Sequence, residues 1–168
     1  MPTLKLPDCE MFYRVDDFTD PWKKPETVLM LHGNAESSLS WYAWTPILAR
    51  HFQVVRPDMR GYGQSTPMPR EYEWTLDKLV DDYCRLMDSL GIERFHLVAA
   101  KIGGTIARAF AGRRPERMLS LTVVGTPQAL RPGAEHIPAL IEEFETKGAE
   151  HWARRTMDGR LGEHFPDE

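Results

Sequence analysis

Cysteine is scarce: the 168-residue chain holds two, Cys9 and Cys84. Two thiols so far apart make neither a disulfide framework nor a metal cluster, and a reduced, cytoplasmic setting is the expectation. No apolar run approaches the roughly 20 residues that a membrane helix needs, so no membrane is expected as a partner. The opening Met1-Pro2-Thr3-Leu4-Lys5 lacks the basic stretch and apolar run of a secretory signal, and none is expected. Positive charge is in no excess either: 21 Lys and Arg stand against 25 Asp and Glu, a net charge of −4. That balance excludes the basic surface that nucleic acid demands. Internal repeats and low-complexity tracts are missing too. His136, His151 and His164 have no metal-ligand spacing, and neither a metal nor a cofactor is expected.

Apolar residues make up 42% of the chain and charged residues 27%, the balance of an ordinary globular domain. Leu4-Lys5-Leu6 and Met11-Phe12-Tyr13-Arg14-Val15 alternate as a short hairpin would. Val28-Leu29-Met30-Leu31 is a continuous apolar run, the pattern of a strand buried on both faces in a parallel sheet. A polar loop follows from Asn34 to Ser38, then a helix carrying Trp41, Trp44, Ile47 and Leu48, with Thr45-Pro46 able to restart it. Phe52–Arg56, Phe95–Val98 and Leu119–Val124 read as further strands. Between them, Thr75–Leu90 places Leu76, Leu79, Val80, Tyr83, Leu86, Met87 and Leu90 on one helical face, stopped by Gly91. A second helix runs from Gly103 to about Arg113. Strand and helix alternate, so the fold class is α/β: a mostly parallel sheet with helices on both faces. From about Pro132 the chain turns charge-rich, and Ala139–Trp152 is predicted helical.

Three segments together resemble the α/β-hydrolase superfamily. They are Val28–Leu31 running into His32-Gly33-Asn34-Ala35, the loop Asp58-Met59-Arg60-Gly61-Tyr62-Gly63-Gln64-Ser65, and the strand–turn–helix Leu97-Val98-Ala99-Ala100-Lys101-Ile102-Gly103-Gly104. The match spans roughly residues 28–130. It implies that residues 1–130 form the N-terminal part of a hydrolase core and residues 131–168 the start of a helical cap. Two departures stand out. The nucleophile elbow of the family reads G-x-S-x-G, whereas here it reads Ala99-Ala100-Lys101-Ile102-Gly103. The C-terminal strands that deliver the acid and the histidine are also lacking, and Gly125-Thr126-Pro127-Gln128 carries no carboxylate in their stead. Leu119–Val124 would then be an unpaired apolar edge, a liability unless covered. The expectation is a heterodimer in which a companion polypeptide supplies the C-terminal half of the fold, either by cleavage of one gene product or as a separate subunit; a chain that simply ends here is the alternative.

The resemblance makes Lys101 the catalytic residue, with the backbone N–H groups of Ile102 and of Asn34 or Ala35 as oxyanion donors. The positive end of the following helix and burial would both favour a partly neutral amine. An amine that attacks an ester forms an amide and stalls, so Lys101 suits a Schiff base with a carbonyl compound, or a non-covalent role as proton donor or cation. His32, Gly33, Ala35, Trp41, Phe144 and Trp152 are expected around a small-molecule substrate. The His32 imidazole, Asp58, Arg60 and Ser65 read first as structural, and His96 as a core histidine. The function implied is a hydrolase of an ester, lactone or C–C bond, or lysine-assisted lyase chemistry. The rival is a non-catalytic, ligand-binding pseudo-hydrolase.

Overall fold

The N-terminal alternation folds as β1 (Thr3–Lys5) antiparallel to β2 (Glu10–Asp16) in a computed structural model that describes residues 2–126 and 137–156. β3 (Thr27–Leu31) is buried along its whole length, as its unbroken apolar run requires. The helix expected around Trp41–Leu48 is two pieces instead: a 3-10 turn at Ser38–Trp41 and the single-turn α1 at Thr45–Leu48. Pro46 explains the break, since it has no N–H to continue a helix through.

β4 (Gln53–Pro57) leads through the Asp58–Ser65 loop to α2 (Leu76–Ser89). The Thr75 hydroxyl caps α2 by accepting from the Lys78 N–H at 3.2 Å, and Gly91 closes it at φ 68°. β5 (Phe95–Ala100), α3 (Ile102–Arg113) and β6 (Met118–Val124) complete the core. The strand order is β1-β2-β4-β3-β5-β6, parallel from β4 to β6, with the hairpin antiparallel at one edge.

Alternation along the strands sorts the side chains. Leu29, Leu31, Leu97 and Ala99 pack with Leu79, Tyr83, Leu86, Ile106 and Phe110 of α2 and α3. Val28, Met30 and Val54 pack on the other face with Trp41 and Ala49. Chain direction across the sheet reverses between β3 and β5, so a crevice opens at their C-terminal ends, where open α/β sheets bind ligands. β6 is the outer strand and leaves Leu121, Val123 and Val124 39%, 40% and 45% exposed.

Packing divides the chain into two units, Met1–Gln128 and Ala129–Glu168; the sequence expectation puts that divide at 130/131. In the second, α4 (Ile137–Thr156) extends beyond the predicted 139–152 and is kinked at Gly148, φ 79°. Pro127, Gln128, Pro132, His136 and His164 lie outside the described residues.

Candidate active site

β5 ends and α3 begins with a single residue between them, Lys101, at φ 52° and ψ −121°. A side chain rarely adopts that conformation, at a cost of about 1–3 kcal/mol, and it persists where the surroundings fix it. The Lys101 N–H donates to the Val124 carbonyl at 3.0 Å, and the Lys101 carbonyl accepts from the Gly104 N–H at 3.1 Å. Gly103 lets α3 press against β3: a Cβ there would stand 2.5 Å from the His32 carbonyl oxygen and 2.7 Å from that of Leu31. Ala99–Gly103 is therefore a sharp strand-to-helix bend that projects one side chain above the sheet.

The loop after β3 faces this bend. His32 is buried, and its Nε2 accepts from the Met59 N–H at 2.9 Å. The ring proton therefore sits on Nδ1, which donates to the Gly33 carbonyl at 2.8 Å. Burial lowers the His32 pKa. Both ring nitrogens are committed to backbone, so the His32 imidazole sets the loop.

Ala35 takes a left-handed φ of 56° and turns the chain so that Glu36 comes back over Gly33. The Gly33 N–H donates to Glu36 Oε2 at 2.8 Å, and the Lys101 ammonium donates to Glu36 Oε1. A Cβ at 33 would lie 2.7 Å from Lys101 Cδ and 2.8 Å from Glu36 Oε2, so a side chain there would push these two flexible side chains aside. Asn34 accepts at Oδ1 from the Tyr62 hydroxyl at 2.6 Å, and Tyr62 meets the His32 ring edge-on with centroids 5.7 Å apart. Burial raises the Tyr62 pKa.

Lys101 departs from the expected buried amine. Its side chain is 56% exposed and ion-paired. The cause is local: the bend points the long side chain away from the core, and Glu36 supplies a counter-charge at the rim. Lys101 thus stands in an exposed ion pair at the rim, with an amide N–H beside it directed at the same carboxylate.

The remaining expected site residues separate. Asn34 and Ile102 both line a cavity of about 570 Å³, walled otherwise by Met59, Tyr62, Trp74, Thr75, Leu76 and Leu79. Trp41 is core on the other face of the sheet and lines a smaller hollow of about 230 Å³ with Glu36, Trp44, Ala100 and Val124. Phe144 and Trp152 pack against each other in the second unit, their rings tilted by 40° with centroids 5.2 Å apart. Asp58 accepts from the Ser38 and Gln64 N–H groups at 2.6 and 2.8 Å, and Arg60 pairs with Asp82 and Asp8, so that loop is tied from within.

Two participants escaped the sequence reading, Glu36 and Tyr62; Gly33 was expected at the site, though not for its N–H. A signal for Glu36 existed, because a lysine in place of a neutral serine needs a counter-ion, and Glu36 is the acid in the 32–38 segment. His96 is engaged on both sides, by Ser120 Oγ at 2.8 Å from Nδ1 and by Glu26 Oε2 at 3.1 Å from Nε2. Among the described residues no three His, Cys, Asp or Glu gather as metal ligands, and no helix is long and apolar enough to cross a membrane.

The family model for the alpha/beta hydrolase fold matches residues 26–166. The chain belongs to the α/β-hydrolase family. It is 34% identical over 116 residues to 2-hydroxymuconate semialdehyde hydrolase of Pseudomonas sp. (strain CF600), covering 67% of this chain and 41% of that protein. It is 36% identical over 100 residues to fluoroacetate dehalogenase of Burkholderia sp., covering 58% of this chain and 33% of that one. A hydrolase from Pseudomonas aeruginosa PA01 superposes with a TM-score of 0.79 at 27% identity, over 98% of this chain and 59% of the other. The enol-lactonase from Burkholderia xenovorans LB400 superposes with a TM-score of 0.81 at 24% identity, over 93% and 58%, and shares the fold. The chain thus spans well under two thirds of these relatives' length.

Proposed function

We propose that this chain is the N-terminal part of an α/β-hydrolase-fold hydrolase acting on a small carbonyl compound, an ester, a lactone or an activated C–C bond. Lys101 serves there as a fixed cation, not as the attacking group. The observation that carries this reading is the convergence of the Lys101 ammonium and the Gly33 N–H on one pair of anionic oxygens. A tetrahedral oxyanion needs the same pairing of charge and amide dipole. The Ile102 N–H, first in α3 and without an acceptor inside the helix, adds a further donor, and the loop after Gly33, with Asn34 and Ala35, completes the rim.

In this chemistry a water attacks the carbonyl carbon and gives its proton to a base, while the carbonyl electrons move onto the oxygen held by Lys101. Collapse restores the carbonyl, breaks the bond to the leaving group and returns the proton to it. The base and its acid partner are assigned to further strands, carried by a companion polypeptide or a longer form of this chain. Two facts support that assignment: β6 is an apolar outer strand, and the relatives are longer. The Schiff-base alternative loses ground to the exposed, paired ammonium.

The test is turnover of a series of aryl esters and enol-lactones by the protein together with its companion segment. Lys101→Met is expected to lower kcat/KM by about 100-fold or more, the loss typical of a missing oxyanion donor. An unchanged rate would remove Lys101 from the mechanism. Borohydride with a keto substrate is expected to trap no adduct on Lys101. A second reading, a ligand-binding pseudo-hydrolase, is favoured by one observation: Glu36 already fills the donors. Binding without turnover in any member of the series would select it.

A further inference from the structure

The carboxylate held by Lys101 and Gly33 belongs to the chain itself. One oxygen takes a charged donor and the other a backbone N–H, the arrangement that gives a carboxylate its strong hydrogen bonds. Glu36 is a loose occupant, however. It reaches the donors from the same loop on a flexible side chain, and the pair is open to water, with Lys101 56% and Glu36 22% exposed. Solvent-exposed ion pairs are weak and exchange readily. A soluble carboxylate matches Glu36 in charge, so what decides the competition is whatever else that ligand buries.

The residues that follow the two donors in the chain face apolar space, whereas Glu36 itself borders the smaller hollow by Trp41 and Trp44. Asn34 follows Gly33 and Ile102 follows Lys101, and both line the cavity of about 570 Å³. Its other walls are mostly apolar: Met59, Trp74, Leu76 and Leu79. The Tyr62 hydroxyl on that wall is already spent on Asn34. A tail in this space would meet the partly exposed ring of Trp74 and the Leu76 side chain. Such a pocket, apolar with a few convergent polar groups at one end, suits an amphipathic small molecule.

We propose that the elbow is a binding site for a monocarboxylate with an aromatic or aliphatic tail, whose carboxylate displaces Glu36 from Lys101 and the Gly33 N–H while the tail occupies the Met59–Trp74–Leu79 cavity. Glu36 is then a built-in competitor that occupies the donors until an acid with enough apolar surface arrives. The inference rests on reading the elbow as a ligand site and names the class of substrate or product it takes: an acid, or a carbonyl compound that carries one.

The experiment is calorimetric titration of the protein with 3-phenylpropanoate, 3-phenylpropanamide and acetate. The acid is expected to bind at least tenfold tighter than the amide, which lacks the charge, and than acetate, which lacks the tail. Glu36→Gln is expected to tighten 3-phenylpropanoate about tenfold, because both donors stay while the competitor loses its charge. Lys101→Met is expected to erase the preference for acid over amide, with its fold checked by circular dichroism. Equal binding of acid and amide, no binding at all, or no gain in Glu36→Gln overturns the proposal. No bond in these ligands breaks, so the result is independent of catalysis. Acid binding without ester turnover defeats the hydrolase reading alone, and turnover without acid binding defeats this inference alone.

Discussion

The two ends of β5 differ in what they present. At its C-terminal end the chain has a strained bend at Lys101, the start of a helix and a cavity lined by the next residue, Ile102. At its N-terminal end it has the residue types. Ser120, His96 and Glu26 stand in a hydrogen-bonded row, about 16 Å away along the strand. That row has no presentation. Ser120 sits in the β6 ladder and is not at a positive-φ turn. Its Oγ points at the histidine nitrogen opposite the one that Glu26 holds, which is the order of a triad, yet neither a bend nor a helix start brings amide donors to that hydroxyl. The difference teaches that a list of catalytic residue types is weaker evidence of a site than backbone geometry. The largest expected effect follows from it. Lys101→Met should lower kcat/KM by about 100-fold, about 2.7 kcal/mol of transition-state stabilisation. Ser120→Ala should leave the rate within twofold in the same assay. A reversal of the two results would move the active site to the other end of the strand.

The strands on either side of this contrast were legible in the sequence; the Ser120–His96–Glu26 row was not. The runs Val28–Leu31 and Phe95–Val98 placed the central strands, because an apolar run suits a strand buried in a parallel sheet. The bend at Lys101 was legible through the resemblance of Ala99-Ala100-Lys101-Ile102-Gly103 to the family's elbow, and the structure adds that Gly103 packs where no side chain fits. Glu36 was harder to foresee. Its role depends on the left-handed turn at Ala35, and alanine gives no warning of a positive φ. Exposure of Lys101 was hidden for a related reason: sequence shows which residue occupies the elbow, but not how far a long side chain leans toward solvent. The split at Thr45-Pro46 lay within reach, since the proline was noted as a restart point.

Two glycines of α3 sharpen the comparison at the level of stability. At Gly103 a Cβ would press on the backbone carbonyls of Leu31 and His32, so Gly103→Ala should lose about 1–3 kcal/mol, overpacking outweighing the gain in helix propensity. At Gly112, near the other end of the same helix, a Cβ meets nothing within 4 Å. Gly112→Ala should therefore gain about 0.4–1 kcal/mol. Urea denaturation of both variants measures the pair, and similar outcomes would show that α3 does not press on β3 as described. Lys101→Gly comes next in size. It relieves the positive φ and gives up only an exposed ion pair, so a gain of about 1 kcal/mol is expected together with loss of the site. A variant that is less stable than the parent would mean that the bend is not strained.

The smallest expected effect separates the loop histidine at the bend from the one in the row. His32 is buried, and burial lowers its folded-state pKa below the ordinary value near 6.5. In that situation the unfolded chain binds the proton more readily than the folded one. Stability is full above the unfolded pKa and declines as pH falls through it, because protonation would break the acceptance at Nε2 from the Met59 N–H. Between pH 7 and pH 6 this one group can remove at most about 0.7 kcal/mol, taking 6.5 for the unfolded state. Chemical denaturation of the parent and of His32→Gln across that interval isolates it, since every other titrating group is common to both. The parent should lose stability relative to the variant as the solution is acidified. Parallel curves would mean that the imidazole is not held neutral by the loop, and the tautomer assigned from the Met59 and Gly33 contacts would fail with it.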